Sequence, residues 1–106
     1  MDILGMMKKA QQMQARMAEM QAELESTLVE GIAGDGAVRV QMTAKGDLTN
    51  IEIADDLFAP GEKDMVQDLI VTAHADARRQ AADIAAGLMQ NATEGLSLPP
   101  GLKLPF

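Results

Sequence analysis

From Ile3 to Leu24 apolar side chains recur as Ile3, Met6, Ala10, Met13, Met17, Met20 and Leu24, in steps that alternate between three and four residues. This is the repeat of about 3.5 residues that marks a helical stripe packed against another helix. Ala, Gln, Met, Glu and Lys dominate the positions between, all good helix formers, and no Gly or Pro falls between Met6 and Leu28. The spacing predicts one helix over about residues 2–27, with Asp2 able to cap its N-terminus. Such a helix is about 40 Å long at a rise of about 1.5 Å per residue, whereas a compact chain of this size is only about 35 Å across, with a radius of gyration of about 13 Å. It is therefore expected to overhang its own domain. A Met-rich overhang needs cover, and a second copy of the chain is the simplest cover. Met6, Met13, Met17, Met20 and Leu24 are the expected dimer seam.

At Leu28 the period changes to two. Leu28 to Ala33 reads as a weak strand, closed by the Gly34-Asp35-Gly36 hairpin signal. Ala37 to Ala44 is the clearest strand, with Val38, Val40, Met42 and Ala44 on one face and Arg39, Gln41 and Thr43 on the other. After Lys45-Gly46-Asp47 a third strand runs from Leu48 to Ala54, Ile51 and Ile53 inward. The three form an antiparallel meander over about residues 28–54, whose apolar face helices must cover. Leu57 and Phe58 are expected to plug its edge. A second helix follows over about residues 62–91, its inward stripe being Val66, Leu69, Ile70, Ala73, Ala77, Ala81, Ile84 and Leu88. Consecutive alanines in that stripe permit close approach of another backbone. The tail, residues 95–106, holds three prolines from Leu98 to Phe106 and is expected to lie extended on its own fold or its partner's. The whole chain, 1–106, reads as one α+β domain.

Composition sharpens this picture. Phe58 and Phe106 are the only aromatics, so the core must be aliphatic and Met-based. The absence of Cys removes disulfides, thiolate nucleophiles and Cys-based metal sites. No apolar run approaches a membrane span and no signal segment opens the chain, so a cytoplasmic location is expected. The net charge of −7 argues against nonspecific attraction to polyanions, but it is unevenly placed. Residues 1–18 carry Lys8, Lys9 and Arg16 against Asp2, a balance of +2, while the other 88 residues hold six basic and fifteen acidic side chains, a balance of −9. Lys9 and Arg16 share one flank of the seam, with Glu23 next on the same line.

Candidate chemistry is sparse. His74 is the sole histidine, with no second ligand type beside it, and reads as a surface residue. Gly34-Asp35-Gly36 leads into a strand, whereas a phosphate-cradling loop needs a helix N-terminus. Asp55-Asp56 reads as a strand breaker. No Ser or Thr has a plausible base, so neither an enzyme nor a cofactor, metal or small-molecule substrate is expected. Arg79 can pair with Asp76 or Asp83, which leaves Arg78 free. As ordinary exposed ion pairs these basic residues are worth little. Read functionally, Arg78, Arg79 and the line of Lys8, Lys9 and Arg16 grip a polyanion, each cluster appearing twice in a two-fold dimer. Two matched clusters suit duplex DNA, and the lack of aromatics makes single strands the poorer ligand.

Several stretches together carry a resemblance. Lys8-Lys9-Ala10-Gln11-Gln12-Met13-Gln14 with Met17, Gly36-x-Val38-x-Val40, Ile51-x-Ile53 followed by Asp56 and Leu57, and Leu98-Pro99-Pro100-Gly101-Leu102-Lys103-Leu104-Pro105-Phe106 resemble the YbaB/EbfC family of bacterial nucleoid-associated proteins. The resemblance implies a helix, three-stranded sheet and helix that form a tweezer-like homodimer on duplex DNA at the nucleoid. It places the family's basic and polar helix positions on Lys8, Lys9, Gln12, Arg16, Arg78 and Arg79. A reading from another class is a small acidic dimeric adaptor or chaperone that grips a protein partner through its Met-rich surface.

Overall fold

The change of period at Leu28 coincides with the end of the first helix in the computed structural model, which describes residues 2–94 with side chains through Asn91. The order is α1 (Ile3–Ser26), β1 (Leu28–Ala33), β2 (Val38–Thr43), β3 (Leu48–Ile53), a 3-10 turn at Asp55–Phe58, and α2 (Lys63–Glu94). The expectations for the tail at 95–106 lie outside the described residues. Asp2 occupies the N-cap position of α1, yet its side chain makes no capping hydrogen bond; only its carbonyl accepts, from the Met6 amide at 3.1 Å. At the other end Thr27 turns extended while its amide and its hydroxyl both still donate to the Glu23 carbonyl, at 3.0 and 2.7 Å.

The sheet is an antiparallel meander in the order β1-β2-β3, with Ala33 opposite Val38 and Val38 opposite Ile53. Asp35 and Gly36 both have positive φ, 56° and 93°, and the Ala37 amide donates to the Gly34 carbonyl at 3.1 Å. That is the geometry of a type I′ hairpin turn, which the right-handed twist of the flanking strands favours. The anticipated stripe of α2 lies on the sheet: Ala73, Ala77 and Ala81 are buried among Val29, Ala33, Val38, Val40 and Met42. Val38, Val40 and Met42 are fully enclosed, and burial of each such side chain is worth about 1.5–3 kcal/mol. The alanines serve a specific fit. A Cβ on Gly31 would stand 1.9 Å from the Ala73 carbonyl oxygen and 2.5 Å from the Ala77 nitrogen, so β1 and α2 meet backbone to backbone.

α2 also closes the outer edge of β1. The Ile32 amide donates to Asp76 Oδ2 at 3.1 Å, and Gln80 Nε2 donates to the Glu30 carbonyl at 2.7 Å. An exposed strand edge is a template for another strand, and here two helix side chains occupy it. β3 is treated differently. α2 lies over β1 and β2 and leaves β3 aside. Ile51 and Leu48 share the inner face with their cross-strand partners Val40 and Met42, but both are exposed. Phe58, expected to plug the sheet edge, is instead 70% exposed, and Leu57 alone packs on the core.

Among the described residues, α1 packs on the rest of the chain near its C-terminal end. Met20 and Leu24 are buried, at 6% and 7% exposure, in a second cluster with Ala44, Ile84, Ala85, Leu88 and Met89. These two residues of the expected dimer seam are therefore covered within the chain, and the stretch left open is Met6, Met13 and Met17. The rest of the helix projects, giving dimensions of 72 × 27 × 16 Å and a radius of gyration of 19.7 Å. A compact chain of this length would have a radius of gyration of only about 13 Å.

Candidate nucleic-acid interface

The projecting part of α1 is a rod with two chemically distinct sides. Every residue from Asp2 to Glu19 is exposed except Gly5. At about 100° per residue, Lys8, Gln12, Arg16 and Lys9 fall within about 100° of its circumference, beside the open Met6–Met13–Met17 stripe. Lys9 and Arg16 are seven residues apart, or about 10.5 Å of helix axis, which is close to three nucleotide steps of about 3.4 Å along one strand. Glu19 and Glu23 continue the same line toward the body, so its charge changes sign where the rod joins the sheet.

The basic side chains of this rod form no ion pair with another described residue. Among the described residues the ion pairs are Arg39–Glu30 and Lys45–Glu25, both at 2.9 Å, and Arg79–Asp76 at 2.6 Å. Lys8, Lys9, Arg16, Lys63 and Arg78 take part in none of them. The paired groups show the electrostatic counterpart. The Gln41 amide, then the Arg39 guanidinium, hold the Glu30 carboxyl below its ordinary range, and Glu25 raises the Lys45 ammonium. Asp76 is held low chiefly by the Ile32 amide and less by Gln80 and Arg79.

Arg78 and Arg79, adjacent in sequence, part company in space. Arg79 turns with Asp76 toward the β1 edge. Arg78 lies over the turn between β2 and β3, where its Nη1 would be 3.0 Å from a Cβ on Gly46. The backbone of that turn, Gly46 at φ +107°, leaves room for the guanidinium. Lys45 shares the turn but is committed to Glu25. Lys8 is about 18 Å of helix axis from Met20, where α1 joins the body. The structure thus gathers Lys8, Lys9, Gln12 and Arg16 on one rod and sets Arg78 apart, at the sheet.

His74 is exposed, as the sequence suggested. Among the described residues no group of three or more His, Cys, Asp or Glu side chains is placed to hold a metal ion. Nor, among them, is any helix long and apolar enough to cross a membrane. Sequence reasoning missed the clamp of Asp76 and Gln80 on β1, because nothing in either residue's neighbourhood along the chain signals a strand edge across the fold.

Comparison with known proteins agrees with the architecture. A crystal structure of the uncharacterized protein HP0035 from Helicobacter pylori superposes with a TM-score of 0.76, covering 86% of this chain and 96% of that one at 21% identity, and so shares the fold. A nucleoid-associated protein of Methylocella silvestris is 52% identical over 105 residues, 99% of this chain and 98% of its own length. One from Granulibacter bethesdensis is 50% identical over 105 residues, with the same coverage of 99% and 98%. Residues 1–96 match the YbaB/EbfC DNA-binding family. A DNA-binding family is also what an unpaired basic rod on an acidic body suggests, and with identities near half over nearly the whole length the chain belongs to the YbaB/EbfC DNA-binding family of nucleoid-associated proteins.

Proposed function

We propose that the chain acts at the nucleoid, in the cytoplasm, as a non-enzymatic homodimer that binds duplex DNA mainly through phosphates. Lys8, Lys9, Gln12 and Arg16 make the principal contacts, Arg78 a second and separate one, and Arg79 a weaker one because Asp76 already holds it. The observation that carries this reading is the basic arc on the projecting rod, whose Lys8, Lys9 and Arg16 take part in none of the ion pairs among the described residues. Distance resolves the apparent conflict with a net charge of −7. The Debye length is about 10 Å at 0.1 M salt. Lys8 lies about 18 Å along the helix from Met20, the first residue of α1 buried against the body, so much of the body's acidic charge is screened from a phosphate at the outer end of the rod.

The pairing of two chains is supported by what one chain leaves uncovered. Met6, Met13 and Met17 form an apolar line on the rod, and Leu48 and Ile51 are apolar, exposed and on the face of the sheet that elsewhere is core. A two-fold partner that covers both would set two rods side by side as the arms of a tweezer, each with its own basic arc.

The test is affinity for a random duplex across a salt series. Each phosphate contacted contributes about 0.9 to the slope of log affinity against log salt. Replacing Lys8, Lys9 and Arg16 with Ala should reduce the slope by roughly 3 for every rod engaged. A triple variant that keeps wild-type affinity and slope would overturn the assignment of contacts.

A further inference from the structure

The basic arc and the Met6–Met13–Met17 stripe leave a third side of α1. Leu4, Met7, Gln11, Gln14, Ala15 and Ala18 are all exposed and, at about 100° per residue, fall within about 100° of the circumference. The middle of this side is about 130° from the middle of the stripe and of the arc alike. None of these side chains is charged, and Asp2 and Lys8 border the outer end. Leu4 and Met7, 75% and 55% exposed, are its large apolar members. A partner along the stripe and a duplex along the arc would both leave this side in water.

The packing of the body points one segment of the chain at it. α2 follows β1 in reverse: Leu69 lies against Gly34, Asp76 holds Ile32 and Gln80 holds Glu30. Ile84 then packs in both apolar clusters, and Leu88 and Met89 only in the one with Met20 and Leu24. α2 thus leaves the sheet beside α1 and antiparallel to it, heading toward the tip. It ends at Glu94, about 9 Å beyond Leu88 and about level with Gln14 to Ala18. The residues that follow, 95–106, carry Leu96, Leu98, Leu102, Leu104 and Phe106, with Lys103 as the only charged side chain. Leu96 and Leu98, then Leu102, Leu104 and Phe106, recur at every second position, so each set shares one side of an extended chain. Pro99, Pro100 and Pro105 disfavour a continued helix.

Reach narrows the choice of bed. Extended at about 3.1 Å per residue, residues 95–106 span about 37 Å from Glu94. The open groove between Phe58 and Val66 lies about 42 Å back along α2 from Glu94, beyond that span. Met7 lies only about 11–17 Å past the end of α2 toward the tip. The stretch from Glu94 to Leu102 spans about 25 Å, enough for that distance and for passage partway round a helix about 10 Å across. We infer that residues 98–106 lie along the Leu4–Ala18 side of α1 of their own chain, with Leu102 at Met7, as a strap that ties the rod to the end of α2. The strap fixes the direction in which the basic arc points and leaves both arc and stripe open. This goes beyond the DNA-binding reading and depends on neither the two-fold seam nor the phosphate contacts.

The chain has no Cys, so paired cysteines report the contact directly. Full-length Met7→Cys/Leu102→Cys is oxidised mildly at low protein concentration and compared with Gln12→Cys/Leu102→Cys. Gln12 lies about as far round from the stripe as Met7, on the opposite side and nearer the end of α2, so an undocked tail would link to it at least as readily. The bond within one chain is expected in ~10-fold higher yield for the Met7 pair, since a disulfide requires close Cβ approach. Equal yields from the two pairs, or a Met7 pair that links chiefly between chains, would overturn the proposal. So would a higher yield from Ile51→Cys/Leu102→Cys, which would put the tail on the sheet. Hydrogen exchange supplies a second reading without any cysteine. In Leu102→Ser/Leu104→Ser/Phe106→Ser the amides of residues 4–18 are expected to exchange ~10-fold faster than in the wild type, while those of β1 and β2 keep their rates. Rod amides that exchange at the wild-type rate count against it. The salt slope of the Lys8, Lys9, Arg16 triple variant bears on the other reading alone.

Discussion

The interface of α2 with β1 and the distal half of α1 are built from similar residues and behave in opposite ways. Both rest on helices rich in Ala, Met, Gln and acidic side chains. At the first, Gly31 lets two backbones touch, Ala73 and Ala77 fill the contact, and Asp76 and Gln80 satisfy the edge of the strand. At the second, every residue of the helix from Asp2 to Glu19 is exposed except Gly5, and no described residue buries it. Small residues against a strand give a contact that tolerates no added atom, whereas long flexible side chains on a free rod give a surface that adapts to whatever it meets. Buried packing is concentrated in the body and open side chains on the rod. The charge differs too: among the described residues Arg39, Lys45 and Arg79 of the body are in ion pairs, whereas Lys8, Lys9 and Arg16 of the rod are in none.

The contrast can be broken most forcefully at Gly31. A methyl group there must displace the Ala73 carbonyl or the Ala77 backbone, and Gly31→Ala is expected to cost about 3 kcal/mol or more in urea unfolding. A Gly31→Ala chain with wild-type stability would mean that β1 and α2 sit further apart than described.

The seam residues sharpen the comparison because one heptad pattern serves both regions. Leu24→Ala removes a side chain buried within the chain and should cost about 2–5 kcal/mol. Met13→Ala, on the open rod, should change the stability of an isolated chain by no more than about 0.5 kcal/mol. Its effect should appear in the pairing of chains, as a dilution midpoint in sedimentation shifted to higher concentration. Equal losses of chain stability from the two variants would erase the distinction between body and rod.

The smallest effect concerns the clamp on β1. The Asp76 carboxyl is held below its ordinary value of 3.8, mainly by the Ile32 amide. A group with a depressed folded pKa binds fewer protons in the folded state, so its contribution is present above the unfolded value and lost as pH falls through the folded one. Wild type should therefore lose stability below about pH 4 more steeply than Asp76→Asn, which carries no titrating carboxyl there. Urea midpoints measured from pH 6 to pH 3 decide it. Parallel curves for the two proteins would show that the clamp contributes nothing through its charge.

Much of this molecule can be read from local pattern. The alternation of three and four predicted α1 to within a residue at each end, and the switch to period two located all three strands. Gly34-Asp35-Gly36 specified a hairpin because the turn needs positive φ where Asp and Gly accept it best. The alanine stripe of α2 signalled close packing, and Lys8, Lys9 and Arg16 stood out against an acidic chain. These are properties of a few neighbouring residues, and the spacing of side chains along a helix or strand is the same whatever surrounds it.

Other outcomes depended on what lies across space. Met17 and Met20 are neighbours on one stripe, but only Met20 falls where α2 covers it. Arg78 and Arg79 differ by one residue, yet the 100° turn between them sends one to Asp76 and the other to the Gly46 turn. Phe58 is apolar and still faces water, because Leu57 already fills the place beside the core. Periodicity tells which side of an element is apolar. Which part of that side is covered depends on where a second element ends, and that is settled by packing between residues far apart in the chain.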